Sequence, residues 1–118
     1  MTDKPSPLEG ALAAADGAFE QSLDRLFTLL RIPSISTDPA NNEDVQRAAE
    51  CVHDQLAELG FGVTTHTTPG HPMVVARWDN AAAPGPRVLF YGHYDVQPVD
   101  PLDLWNRDPF EPAIETRG

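Results

Sequence analysis

The chain has 118 residues, 41% of them hydrophobic, which suits one small domain and is too apolar for disorder throughout. Its 18 acidic and 8 basic residues give a formal net charge of −10, which argues against binding nucleic acid or an anionic membrane surface. Cys51 is the sole cysteine, so no internal disulfide framework can form. With no leader-like or membrane-length apolar run, the expected compartment is the cytoplasm.

Residues 1 to about 10 read as a tail carrying two prolines, Pro5 and Pro7. From about Ala18 to Arg31, Phe19, Leu23, Leu26, Phe27 and Leu30 recur at helical spacing and make one apolar stripe. That helix stops at Ile32-Pro33, because the residue before a proline avoids the helical region. It has room to begin near Leu8, with Gly10 and Gly17 as weak points, so residues 1–17 are expected as a tail or a frayed helix start. Ser34 to Asn42 is a linker rich in turn formers.

A second helix is predicted from about Asn42 to Leu59, burying Val45, Ala49, Val52, Leu56 and Leu59, with Gly60 as its left-handed cap. Three strands should follow. Gly62 to Thr67 alternates, while Met73 to Trp78 and Arg87 to Tyr91 are more continuously apolar. Ala81 to Pro86 reads as the turn joining the last two as a hairpin-like pair. Two helices leading into such strands suggest the opening of an α/β sandwich whose sheet is incomplete.

Gly92-His93-Tyr94-Asp95 closes the third apolar run and opens a proline-broken loop. A histidine at the end of a buried strand stands where open α/β sheets place their ligands. Asp95 lies two residues on, so in extended backbone both side chains emerge on the same side. A carboxylate so placed can orient an imidazole and fix its tautomer, as around catalytic zinc. The plainer alternatives are a histidine bonded to a loop carbonyl and an aspartate in an Asx turn.

The wider pattern carries a resemblance. Leu89-Phe90-Tyr91-Gly92-His93-Tyr94-Asp95-Val96-Gln97-Pro98-Val99, then Trp105 and Asp108-Pro109-Phe110-Glu111-Pro112, resembles the dinuclear-zinc exopeptidases and amide hydrolases. That family includes carnosinase-type dipeptidases, aminoacylases and succinyl-diaminopimelate desuccinylases. The resemblance runs from about residue 18 to 118, and the His-Tyr-Asp-Val-Gln-Pro-Val wording is most similar to the dipeptidase branch. It implies an α/β/α sandwich metallopeptidase catalytic domain, of which residues 1–118 are the amino-terminal part. It also implies a zinc-dependent hydrolase acting on a small peptide or an N-acyl amino acid, with two zinc ions in the complete enzyme and room for a homodimer.

Residue by residue, the resemblance assigns His93 as a metal ligand and Asp95 as the carboxylate that orients it, the one catalytic residue carried over. The family's bridging aspartate, its further acidic ligands, its distant histidine and its glutamate base find no match here. The chain alone is therefore expected to be inactive. Within the class the alternative is an N-acyl amino-acid deacylase or desuccinylase; outside it, a non-catalytic folding or interaction module.

The other candidates have plainer readings. Cys51 and His53 sit two apart on a predicted helix and point in different directions. His66 and His71 flank Thr67-Thr68-Pro69-Gly70, a turn sequence with no third ligand nearby. Asp100, Asp103, Asp108 and Glu111 read as loop solvation and caps, and Trp105 and Phe110 as residues that pin a long loop.

Overall fold

A computed structural model describes residues 4–79, 82 and 85–116. The helix α1 runs Pro7–Gly17, α2 Phe19–Leu30 and α3 Asn42–Glu58; the strands are β1, Gly62–His66, and β2, Met73–Arg77.

The stretch expected as a tail or frayed start is largely a capped helix. Ser6 and Glu9 form a capping box: the Glu9 amide donates to Ser6 Oγ at 3.2 Å, and the Ser6 amide donates to the Glu9 carboxylate at 2.8 Å. Pro7, with no N–H to satisfy and a preset φ, occupies the first turn. None of α1 is buried, so its local cap is the main thing that holds it. Ala18 separates it from α2, and Ile32-Pro33 follows the end of α2 as expected.

The helix α3 supplies the core. Val45, Ala48 and Ala49 are fully buried there, on a face packed against β1, β2 and α2. Val52 and Leu56 continue that face half-buried, while Leu59 at its end is exposed, against the sequence expectation. Gly60 has φ +92°, a conformation that only glycine adopts without strain. Any side chain there would also meet Trp78, whose Cζ3 lies 3.1 Å from the ideal Cβ position. Trp78 packs edge-to-face on Phe61, with ring centroids 5.3 Å apart.

The strands differ from the sequence expectation. The antiparallel pair is β1 with β2, in register from Gly62↔Arg77 to His66↔Met73, not the second run with the third. Half of the turn expected at Ala81 to Pro86, residues 81, 83 and 84, lies outside the described residues. The third run, 87–91, forms no strand and pairs with nothing among the described residues. Val88, Leu89, Phe90 and Tyr91 are 86–94% exposed. A continuously apolar run suits a strand with neighbours on both sides, and the described residues supply none.

The chain beyond this run returns to the body through the 34–36 linker. Ile35 and Val96 form an isolated parallel bridge, and the Val96 amide donates to the Ser34 carbonyl at 3.0 Å. Among the described residues Ser34 is the one buried polar side chain, 2% exposed, and its hydroxyl donates to the Tyr94 carbonyl at 2.9 Å. The linker is thus a structural seat for the segment that carries His93 and Asp95. No helix among the described residues is long and apolar enough to cross a membrane.

Candidate metal centre

His93 and Asp95 meet. His93 Nδ1 lies 3.0 Å from Asp95 Oδ1 and 3.0 Å from the Asp95 main-chain carbonyl. Both partners are acceptors, so in the neutral ring Nδ1 carries the proton and Nε2 the lone pair. The His93 side chain is 73% exposed, which leaves Nε2 open to a ligand. The plainer alternative, a histidine bonded to a loop carbonyl, describes only half of what Nδ1 does; the carboxylate is the other half.

Asp95 is itself held. Its Oδ2 accepts from Ser36 Oγ at 2.6 Å, the short length of a charge-assisted bond. The Ser36 hydroxyl holds the Asp95 carboxyl below the usual carboxylate range; partial burial works against this, and the bond from His93 adds to it. Asp95 therefore stays an acceptor toward His93. Tyr94 lies between them in sequence, and its hydroxyl donates to the Pro72 carbonyl at 2.5 Å. Burial, and then the neighbouring Asp95 charge, push the Tyr94 phenol up, which keeps it a donor.

Sequence reasoning missed Ser34, Ser36 and Tyr94 as parts of this site. The motif marks the two ends of the His93–Asp95 pair, but Ser36 reaches it from 59 positions away. The only signal in the sequence is two serines in a linker rich in turn formers.

The remaining candidates stay apart. His53 Nδ1 bonds Thr65 Oγ1 at 2.9 Å, and Cys51 Sγ accepts from Gln55 Nε2 at 3.2 Å. Burial pushes the Cys51 thiol up, so it is no activated nucleophile. His71 donates from Nε2 to the Ser36 carbonyl at 2.7 Å. Asp108 caps the Phe110 amide at 2.8 Å, and Glu111 pairs with Arg31 at 3.5 Å. Trp105 donates to the Val99 carbonyl at 2.8 Å, pinning the loop onto itself.

Among the described residues no three histidine, cysteine or acidic side chains gather closely enough to hold a metal ion. The chain offers one imidazole with its tautomer set and its free nitrogen exposed. That fits one corner of a zinc site.

No family model matches the chain. Over 117 residues it is 32% identical to the Cys-Gly metallodipeptidase DUG1 of Candida albicans, covering 88% of this chain and 24% of that protein. Over 107 residues it is 34% identical to a succinyl-diaminopimelate desuccinylase of Thiobacillus denitrificans, covering 91% of this chain and 24% of the enzyme. The solved structure of the di-peptidase Dug1p from Saccharomyces cerevisiae matches with a TM-score of 0.75 at 29% identity, over 85% of this chain and 23% of that one. The chain spans about a quarter of the length of the curated relatives it matches. By sequence and by fold, the chain is a homologue of the metallodipeptidases and succinyl-diaminopimelate desuccinylases.

Proposed function

We propose that this chain is the amino-terminal part of a zinc-dependent hydrolase that cleaves a peptide or amide bond in a small substrate, and that the complete protein is a dipeptidase. The observation that carries the reading is the His93–Asp95 pair, with Nδ1 engaged by a carboxylate at 3.0 Å and Nε2 exposed. His93 would hold zinc through Nε2. Asp95 keeps the proton on Nδ1, turns the ring outward and makes the imidazole a stronger donor. When bound, a pair of zinc ions supplies Lewis acidity toward the scissile carbonyl and activates a water. The other ligands and the general base belong to the rest of the protein, as does any dimer contact.

The His-Tyr-Asp-Val-Gln-Pro-Val wording and the Dug1p likeness favour a dipeptide substrate. The 34% identity to desuccinylases supports the second reading, an N-acyl or N-succinyl amino-acid deacylase. A single cysteine fits a reducing compartment, the cytoplasm.

The test is zinc analysis and turnover of the complete protein on matched panels of dipeptides and N-acyl and N-succinyl amino acids, with His93→Ala beside it. Dipeptide turnover is expected to exceed the others, and His93→Ala to lose about one zinc equivalent and the activity. Wild-type zinc content in that variant overturns the assignment. Residues 1–118 alone should bind no stoichiometric zinc and cleave nothing, since one ligand falls short of the three or more protein ligands that zinc sites use.

A further inference from the structure

The 34–36 linker and the β1–β2 turn converge on Asp95 in a way that the metal reading does not require. Both carboxylate oxygens are engaged: Oδ1 accepts from His93 Nδ1 at 3.0 Å and Oδ2 from Ser36 Oγ at 2.6 Å. A carboxylate held at both oxygens has its plane fixed. One held at a single oxygen, on a side chain 42% exposed, turns between rotamers.

Ser36 is itself fixed from several directions. Its carbonyl accepts from His71 Nε2 at 2.7 Å. The residue before it, Ile35, bridges Val96, and Ser34 bonds the Tyr94 carbonyl from a buried position. The next residue of the turn, Pro72, accepts from the Tyr94 hydroxyl at 2.5 Å. Two consecutive turn residues, His71 and Pro72, thus grip the two segments that meet at Asp95. The turn that does so is ordered internally by Thr68, whose hydroxyl donates to the His71 carbonyl at 2.7 Å.

We propose that Ser36 is a positioning residue: its hydroxyl locks the Asp95 carboxylate in the one rotamer that presents Oδ1 to His93 Nδ1, and so sets the tautomer and aim of the His93 ring. This deepens the reading of His93 as a metal ligand and rests on it for its consequence, since an Nε2 lone pair held outward matters only to something that binds there. The positioning itself is a property of the metal-free chain.

The experiment uses NMR on the metal-free chain, at a pH where imidazole is neutral. Three-bond couplings report the Asp95 rotamer, and ring ¹⁵N shifts report the His93 tautomer. The wild type should show one Asp95 rotamer and a His93 ring protonated mainly on Nδ1. Ser36→Ala should average the Asp95 couplings and shift the His93 ring toward a mixture, while Ser36→Thr, which keeps the hydroxyl, should restore both. The β1–β2 cross-strand contacts and the Val96 amide signal show that each variant is folded. An Asp95 still fixed in Ser36→Ala overturns the proposal, as does a tautomer balance that stays put while Asp95 moves. Because no metal is present, this outcome is separate from the His93→Ala zinc measurement that tests the ligand reading.

Discussion

Replacing Phe90 by lysine should leave this chain as stable as before and make it associate less. Phe90 is 94% exposed and Leu89 92%, in an apolar run with no paired neighbour among the described residues. A side chain already in water contributes almost nothing to folding, so the change should stay within about 0.5 kcal/mol, or roughly 2–4 °C in Tm. Association is a different matter. Burying four such side chains is worth roughly 6–12 kcal/mol, against an ordering cost of about 4–15 kcal/mol. The wild-type chain should therefore sit near the threshold of self-association, through an apolar run with open backbone groups on both sides. Removing Phe90 takes away about 3 kcal/mol of that burial, close to a 100-fold weaker association. Lysine also adds a charge that opposes edge-to-edge pairing. Sedimentation velocity over a dilution series, with a thermal melt beside it, reads both quantities, and Leu89→Lys should behave alike. A variant that melts many degrees lower while associating as before would refute the reasoning, since it would show Phe90 packed inside the fold.

The other expectations are briefer. Val45→Ala removes two methyl groups from a fully buried site, which should cost about 2 kcal/mol once the cavity is included; a urea midpoint that does not move would show that the α3 core is not what holds the fold. The Ser6 main-chain and hydroxyl bonds hold the Glu9 carboxyl below its ordinary 4.5. Its support of α1 should therefore be complete above that pH and be lost as pH falls through the lower folded value. The ¹³Cα shifts of Pro7–Gly17 should record that acid step in the wild type, and a Glu9→Gln variant that shows the same step would refute it. Asp95→Asn should keep the fold, since an amide can still accept from His93 and donate to Ser36. In the complete protein it should weaken zinc affinity by roughly 10–100-fold, and wild-type zinc content and turnover would reduce Asp95 to a turn residue.

What could be read from the sequence was what local chemistry decides. The helix α2, the Ile32-Pro33 stop, the extent of α3 and the left-handed Gly60 follow from spacing and backbone preference, and the structure has them, although Phe19, Leu26 and Leu30 of the α2 stripe stay exposed. The α1 cap was legible too, in Ser6-Pro7-Leu8-Glu9, a serine three residues ahead of a glutamate. Pro5 and Pro7 suggest a tail and mask that pattern. Strand pairing was not legible. Three apolar runs stand out in the sequence, but which two pair depends on turn geometry and on α3 covering β1 and β2. By turn composition alone, Ala81 to Pro86 favours pairing Met73–Arg77 with the third run, whereas the structure pairs it with β1. The better clue was Thr68, whose hydroxyl accepts from the Gly70 amide at 3.1 Å and donates to the His71 carbonyl, closing the turn between β1 and β2.

The candidate site divides along the same line. His93 and Asp95 are two residues apart, so extended backbone alone puts their side chains on one side and their pairing needs no knowledge of the fold. Everything that holds the pair arrives from elsewhere: Ser36 from 59 positions away, Ser34 from 60 positions before Tyr94, Pro72 from 22. These contacts exist because α3, β1 and β2 bring the linker and the turn to the same place, and helix α3 is where most of the burial lies. A ligand can be named from a motif, whereas the groups that aim it depend on packing. The two are coupled energetically as well. An exposed histidine on a loop loses ring entropy when it binds a metal unless its orientation is already fixed. Here the order is supplied in advance by a buried serine hydroxyl, a short bond to a carboxylate and a turn clamped at two residues. The small core of this chain therefore serves the site directly: it is what keeps the linker seated against Val96 so that Ser36 can reach Asp95.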